Sequence, residues 1–163
     1  MIGKDSGKDP APAVSGVHLW LVLMKAFHAL SAFSSRDWRD CGLGDSDFRV
    51  MEVLLHKGPL PVNAIGPKVF LTPGSISIAV DRLHARGLVS RVDSEADRRV
   101  RVVDLTAKGR ALIRRVFTAH AKNMEELARL LTSSERVQLV EALKKLGKHA
   151  QRGSKGHNLR DLQ

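Results

Sequence analysis

Apolar side chains at the two ends of the chain are spaced as in long amphipathic helices. From Val17 to about Asp40 they recur every three to five residues without proline or glycine, which predicts a long first helix. Further apolar residues on a second flank of its N-terminal half favour burial against two partners. A long helix is also expected from Ala107 to about Leu131. The capping box Thr132–Glu135, with Glu three residues after Thr, predicts the start of a last helix.

The central part of the chain predicts three shorter helices followed by a β-hairpin. The expected helices run from Gly44 or Asp45 to His56, from Pro61 to Val69, and from Pro73 to about Arg86, with Thr72 as N-cap and Gly87 as stop. Two β-rich runs, Leu88–Val92 and Arg99–Leu105, enclose a polar tip at residues 93–98. Helix, short helix, helix and hairpin is the order of a winged helix-turn-helix. The expected fold class is therefore mainly α with a small β-hairpin wing.

Length and composition limit the class of protein. A chain of 163 residues favours one domain and excludes a large multidomain enzyme. No uninterrupted apolar run approaches the roughly 18 residues of a membrane span, so we expect a soluble protein without a membrane partner. Residues 1–16 lack the apolar stretch of a secretory signal and are expected to form a flexible arm. The single cysteine, Cys41, cannot form an internal disulfide, which is compatible with the cytoplasm.

Basic charge is concentrated in one central stretch and one tail. The net charge is +10, and residues 82–115 hold ten basic and four acidic side chains. Residues 144–163 carry a further surplus of five positive charges. This distribution favours a polyanionic partner such as nucleic acid. The tail either contacts phosphates or only keeps the protein soluble.

The helix predicted from Pro73 to Arg86 has one face suited to contact DNA. At 100° per residue, Ile76, Val80 and Leu83 share the arc that faces the core. The opposite arc, with Ser77 on its flank, is made mostly of small residues that let the backbone approach a surface: Gly74, Ser75, Ile78, Asp81, Arg82 and Ala85. A major groove about 12 Å wide accepts such a helix. A generic surface helix is the alternative.

Individual side chains on this face suggest different contacts. The serine hydroxyls can bond to base edges or phosphates, Ile78 can contact a thymine methyl, and Arg82 is placed for a phosphate. Asp81 would repel phosphates unless it pairs with Arg82, Arg86 or a cytosine amine. We expect an arginine partner.

The predicted hairpin carries four arginines: Arg91, Arg98, Arg99 and Arg101. A thin ribbon has no core in which to bury them, and its tip can enter a narrow minor groove of enhanced negative potential. Asp97 can hold one neighbouring arginine by a charge-assisted hydrogen bond while the other projects. A solvated charged turn is the alternative.

The combined motifs resemble the MarR family of bacterial transcription regulators. The matching residues are Gly74-Ser75-Ile76 through Asp81-Arg82-Leu83, Gly87-Leu88-Val89, Asp97-Arg98-Arg99, and Leu105-Thr106 with Gly109. Order and spacing agree over about Val17 to His149. The resemblance implies a winged core at about 44–106 and dimerisation helices at about 17–41 and 107–149, followed by a basic flexible tail at 150–163. Gly44 departs from the Thr or Ser cap common in the family, so we expect a looser helix start there.

The resemblance also implies a function. We expect a sequence-specific transcriptional regulator, a homodimeric repressor that binds a pseudo-palindromic operator in double-stranded DNA and is released by a small-molecule or stress signal. By the family pattern Arg99 enters the minor groove. A winged-helix protein-interaction module is the alternative. The expected DNA-binding residues are Thr72, Pro73, Gly74, Ser75, Ser77, Ile78, Arg82, Asp97, Arg98 and Arg99.

No residue set identifies a signal, a cofactor or a catalytic centre. Aromatic residues of the first helix, such as Trp20 and Phe27, are explained by core packing at least as well as by an effector site. Cys41 lies near a helix C-terminus, which disfavours a reactive thiolate. The seven histidines form no ligand set with metal spacing, and no phosphate-cradling glycine loop or nucleophile elbow occurs. We expect no enzymatic activity, metal or cofactor, an unidentified effector site, and a cytoplasmic, nucleoid-associated protein.

Overall fold

The computed structural model describes residues 13–93 and 101–154. The predicted wing tip, with Asp97, Arg98 and Arg99, lies outside the described residues, as do most of the predicted N-terminal arm and of the basic tail. The chain divides into two compact units, Met1–Phe117 and Thr118–Gln163. In chain order the elements are α1 (Gly16–Ser34), α2 (Arg36–Arg39), α3 (Asp45–Lys57), β1 (Leu60–Pro61), α4 (Val62–Val69), α5 (Pro73–Ala85), β2 (Val89–Asp93), β3 (Arg101–Leu105), α6 (Ala107–Ala128) and α7 (Ser133–Ser154).

The sheet confirms the predicted hairpin and adds a strand. Its antiparallel order is β1-β3-β2, and Val89 pairs with Leu105 while Arg91 pairs with Val103. Pro61, which was expected to begin a helix, instead ends the edge strand opposite Val102. An edge position suits proline because it has no N–H to give to a ladder.

The first helix is interrupted at Ser35, where the sequence predicts continuity to Asp40. The Ser34 hydroxyl donates to the Ser31 carbonyl at 3.2 Å and the Ser35 hydroxyl to the Ala32 carbonyl at 3.1 Å. Such bonds compete with the helix ladder. After the interruption Trp38 packs into the core, with its ring stacked on Phe48 at 4.1 Å between centroids.

The core of the first unit confirms the predicted inward face of α5. Ile76, Val80 and Leu83 are each at most 1% exposed. They pack in one cluster with apolar residues of α3, α4, the sheet and α6, including Met51, Leu54, Ile65, Leu88, Val103 and Ile113. The helix is therefore fixed on its inner side by burial, and its outer side is left to solvent.

A buried carboxylate joins α3 to α5. Asp47 is 1% exposed, and its Oδ2 accepts the Gly44 N–H at 2.9 Å. Its carboxylate also accepts Nε and Nη2 of Arg82 at 2.6 to 3.0 Å. Gly44 has no side chain with which to cap α3, so Asp47 closes the helix start that the sequence suggested would be loose.

One turn after Arg82, at the C-cap of α5, Arg86 makes a second link to the segment before α3. Its guanidinium donates to the Gly42 carbonyl at 2.6 Å and to the Cys41 carbonyl at 3.2 Å. Arg82 and Arg86 therefore hold α5 against the same stretch of chain at two points.

The start of α6 passes very close to the end of α5. Thr106 accepts the Gly109 N–H at 3.0 Å, which confirms it as the predicted cap, and its hydroxyl donates to the Gly87 carbonyl at 2.8 Å. A Cβ on Gly109 would stand 1.9 Å from the Leu88 carbonyl oxygen. Only glycine permits this approach.

The second unit contains the predicted capping box. Glu135 accepts the Thr132 N–H at 2.8 Å and Thr132 Oγ1 accepts the Glu135 N–H at 3.3 Å. The hydrogen bonds from Thr132 lower the pKa of Glu135. Arg136 donates to the Ala128 carbonyl at 2.9 Å and to Glu125 at 2.6 Å. The α6 helix ends at Ala128 rather than at about Leu131, because the N–H groups of residues 129–131 bond to carbonyls three residues back instead of four.

Two helices expose apolar side chains. On α1, Trp20 is 59% and Phe27 is 56% exposed; on α7, Val137, Leu139, Val140, Leu143 and Leu146 are all exposed. By length and composition alone, Gly16–Arg39 is apolar enough to cross a membrane, with a mean hydropathy of 1.3 and none of that window buried. This segment contains no long uninterrupted apolar run, because His18, Lys25, His28 and several serines lie between its apolar residues. A helix that packs on a protein partner has the same properties.

The contact at Gly109 predicts a large effect for a small substitution. We expect Gly109→Ala to lower the free energy of unfolding by about 1–3 kcal/mol or more, because the methyl group meets a backbone carbonyl that cannot move alone. Gly74→Ala is the control, since a Cβ there meets nothing within 4 Å, and its effect should stay within about 0.5 kcal/mol. Urea unfolding measures both. Equal stabilities would contradict the contact.

The buried carboxylate gives a second prediction. Asp47→Asn keeps the shape and the acceptor for Gly44 but removes the charge that Arg82 binds, so we expect a loss of about 1–3 kcal/mol. The loss stays below that of a fully buried pair because 45% of the Arg82 side chain is exposed. Exposed Asp40→Asn is the matched control, with an expected change under about 0.5 kcal/mol. Thermal and urea unfolding measure both variants. Equal losses of unfolding free energy for Asp47→Asn and Asp40→Asn would contradict a stabilising role for the Asp47–Arg82 pair.

Candidate nucleic-acid interface

The start of α5 is fixed by its own sequence. Thr72 is in an extended conformation, its Oγ1 accepts the Ser75 N–H at 3.2 Å, and Pro73 occupies the first turn. The Thr72 and Ser75 hydroxyls lie 2.9 Å apart, and Ser77 donates to the Pro73 carbonyl at 3.1 Å. These bonds hold three hydroxyl groups at the first turn.

The outer face of α5 is small and accessible. Ile78 is 62% exposed, and no atom lies within 4 Å of where a Gly74 Cβ would stand. Thr72, Pro73 and Ser77 are exposed and Ser75 is half-buried. Of the six uncharged residues that the sequence assigned to DNA, Gly74, Ser75 and Ile78 lie on this face. Thr72 and Pro73 precede it at the helix N-terminus, and Ser77 lies on its flank, where it lines a different groove from Ser75 and Ile78. A surface with hydroxyl groups, one apolar side chain and accessible backbone matches what base edges in a major groove require.

Asp81 has the arginine partner that the sequence led us to expect, but it is a different arginine. Its carboxylate pairs with Arg91 of β2, and neither Arg82 nor Arg86 is the partner. Arg91 was assigned to the group of wing arginines; the structure places it at the base of the hairpin. The pair neutralises the carboxylate next to the outer face of α5 and ties the helix to the sheet.

Arg82, which was assigned to a phosphate, also has a structural partner. Its hydrogen bond to Asp47 is the main cause of a raised pKa. Its Nη2 donates to Ser46 Oγ at 3.2 Å. The guanidinium is thus held in place at the surface, with its charge fully present.

A groove beside α5, lined in part by Pro73, Ser77 and Asp81, has a volume of about 900 Å³. Apolar residues of α4 and α5 form most of it, and Arg91 and Arg101 of the sheet complete it. The Nε of Arg91 is buried and has no hydrogen-bond partner among the described residues. The groove therefore combines an apolar wall with positive charge.

A second concave surface lies beside the outer face of α5, with a volume of about 610 Å³. Sequence reasoning missed two of its polar residues, Ser46 and Arg49, and considered Arg39 only as part of an anion clamp for an effector. Arg39 had been read as part of the first helix, and residues 1–81 hold equal numbers of acidic and basic side chains, so segment charge gave no signal. The lining residues are Arg39, Gly44, Asp45, Ser46, Arg49, Leu71, Ser75, Ile78 and Arg82.

Metal ligands do not cluster within residues 13–93 and 101–154: no group of three or more His, Cys, Asp or Glu side chains there could hold an ion. Cys41 is half-buried with a free thiol.

Comparisons with known proteins agree with this geometry. A model of the MarR family matches residues 42–100. The HTH-type transcriptional regulator MhqR of Bacillus subtilis (strain 168) is 35% identical over 132 residues, which are 81% of this chain and 91% of MhqR. The fold is similar to that of BpsR of Bordetella bronchiseptica, whose DNA binding is regulated by 6-hydroxynicotinic acid, with a TM-score of 0.73 at 24% identity over 84% of this chain and 98% of BpsR. NadR in complex with 4-hydroxyphenylacetate matches with a TM-score of 0.67 at 20% identity over 86% of this chain and 99% of NadR.

The family decides between the classes that the sequence left open. Its members are transcriptional regulators rather than enzymes, and nothing in the comparisons supports a winged helix used only to bind proteins. As soluble DNA-binding regulators they act in the cytoplasm. With 35% identity across most of both chains and the winged-helix geometry described above, this chain belongs to the MarR family and is a DNA-binding transcriptional regulator.

Proposed function

We propose that the protein is a homodimeric repressor that binds a pseudo-palindromic operator, with one α5 helix in each of two major grooves. The observation that carries the proposal is the outer face of α5, which is accessible and made of small residues on a helix fixed by Asp47 and Arg86. A two-fold dimer implies half-sites about one helical turn apart, some 34–36 Å. Bound to such operators, the protein would be associated with the nucleoid.

The proposed contacts divide by chemistry. Ser75, Ser77 and Ile78 read base edges, and Gly74 lets the backbone come close. Thr72 and Pro73 lie at the helix N-terminus, where backbone N–H groups favour phosphate. Arg82 adds a phosphate contact. From the wing tip, Asp97 orients Arg98 while Arg99 enters the minor groove.

The proposed dimer rests on the exposed apolar side chains of α1 and α7. No residue of α1 is buried within the chain, although its mean hydropathy would suit a core. A second copy can cover such faces, because a two-fold interface pairs the same surface patch of both copies. Exposed apolar area of this extent is otherwise rare on a monomer.

The proposed signal is a small amphipathic anion. BpsR responds to 6-hydroxynicotinic acid and NadR binds 4-hydroxyphenylacetate, both aromatic acids. The groove of about 900 Å³ beside α5 has the matching chemistry, with an apolar wall and the two arginines Arg91 and Arg101. A ligand that bound Arg91 there would compete with Asp81 and so disturb the helix that contacts DNA.

The dimer can be tested by placing a charge on α1. Wild-type protein should sediment at about twice 17.9 kDa, and Trp20→Glu should shift it towards the monomer mass because a buried unpaired carboxylate is costly. Ile78→Ser, which removes an equally exposed apolar side chain from α5, should leave the dimer intact. A Trp20→Glu protein that remained fully dimeric at micromolar concentration would contradict the role of α1.

DNA binding is tested with a duplex from the promoter nearest the gene. Wild-type protein should bind it more tightly than a random duplex. Arg99→Ala should reduce the slope of log affinity against log salt by about 0.9 per subunit, as expected for one lost phosphate contact. Lys57→Ala, at the C-terminal end of α3, is the control for a lost charge. An unchanged slope for Arg99→Ala would remove the wing from the interface, and a folded wild-type protein that bound no duplex at low salt would refute the repressor.

A further inference from the structure

The concave surface of about 610 Å³ beside α5 has the properties of an anion site. We propose that it binds a phosphate of the DNA backbone, through Arg39, Ser46, Arg49 and Arg82. We call these four residues the arginine notch. The inference rests on the proposed function, because it adds to the DNA interface three residues that lie outside α5 and the wing, namely Arg39, Ser46 and Arg49.

The notch has a net positive charge at its surface. Three arginines line it against two nearby carboxylates, Asp45 and Asp47. Asp47 is 1% exposed and is fully engaged in hydrogen bonds from within the protein. The Oδ1 of Asp45 accepts the Trp38 indole N–H at 3.0 Å and lies 4.0 Å from Arg39. The Asp45 side chain is 55% exposed, so the three guanidinium groups outnumber the one carboxylate that an incoming anion meets.

Two of the arginines are already held in position. Asp47 and Ser46 fix the Arg82 guanidinium at 2.6 to 3.2 Å. Arg49 donates from Nη1 to the Val69 carbonyl at 3.4 Å. The planar guanidinium groups of Arg82 and Arg49 can each donate two hydrogen bonds to phosphate oxygens. A side chain that is held in place before binding also loses less conformational entropy when the complex forms.

The position of the notch favours DNA over a free anion. Ser75 and Ile78 of the proposed base-reading face line the same concave surface. A helix in the major groove lies between the two phosphate backbones, so basic residues at its edge meet a backbone while the helix face meets bases. Because α3 supplies Ser46 and Arg49, the notch would fix how α5 enters the groove.

The test uses the full-length protein with Arg49→Ala, Arg49→Lys and Lys57→Ala. Lys57 lies eight residues after Arg49 on the same helix, roughly 12 Å along its axis, and its substitution removes the same charge. Binding to the promoter duplex and to a random duplex is measured by fluorescence anisotropy over a series of salt concentrations. Melting curves check that each variant folds.

We expect Arg49→Ala to reduce the salt slope by about 0.9 per subunit on both duplexes, since a phosphate contact carries no sequence information. Arg49→Lys should retain the slope, and Lys57→Ala should equal wild type. If Arg49→Ala kept the wild-type slope, or weakened binding to the promoter duplex alone, the notch would not be a backbone site.

A free anion is distinguished by a separate measurement. Inorganic phosphate is compared with chloride at equal ionic strength for its effect on the melting temperature. A phosphate-specific shift that Arg49→Ala abolishes, together with an unchanged salt slope for DNA, would assign the notch to a small anion and overturn the proposal. Failure of the proposed function is a different result, because wild-type protein itself would then bind no duplex.

Discussion

One buried carboxylate determines where α5, the proposed recognition helix, lies. An ionised side chain removed from water is costly unless several hydrogen bonds satisfy it. Asp47 meets this requirement only when the start of α3 offers the Gly44 N–H and α5 places Arg82 against it. The two helices therefore have one relative position that leaves no unpaired charge. Hydrophobic packing of Ile76 and Leu83 would by itself tolerate small shifts, because apolar contact is not directional.

The recognition helix is held from two sides by charged side chains. On the α3 side Arg82 and Arg86 bind Asp47 and the Gly42 carbonyl; on the sheet side Asp81 binds Arg91. Charges near the proposed DNA-facing surface thus serve first to hold the helix. In the proposed interface this leaves hydroxyl groups and one isoleucine for the bases, and such short side chains can discriminate between bases only if the helix is fixed to within a fraction of an ångström.

The sequence predicted the features that depend on neighbouring residues. The Thr72 and Thr106 caps, the Thr132–Glu135 box and the inward face of α5 all follow from side chains within a few positions of each other. It failed where the decisive contact is distant. Asp47 and Arg82 are 35 residues apart, and nothing local indicates that they meet. The same is true of the notch, whose Arg39 and Arg49 lie within residues 1–81, where acidic and basic side chains are equal in number. The break at Ser35 depended on serine hydroxyls competing for carbonyls, which apolar periodicity does not detect.

Regulation in the proposed dimer can act through the distance between the two α5 helices as well as through a ligand in the groove lined by Arg91 and Arg101. The hydrophobic core of the first unit contains no residue of α1. The hydrogen bonds that hold α5 in place therefore do not depend on how two copies pack. The spacing between two α5 helices does depend on it. Half-sites on DNA are fixed at some 34–36 Å, and a change of a few ångströms in that spacing would prevent both helices from binding at once. The contacts that hold α5 are separate from the apolar faces of α1 and α7 that form the proposed dimer. A signal that changes the packing of α1 and α7 could therefore release the operator while every contact that holds α5 remains intact.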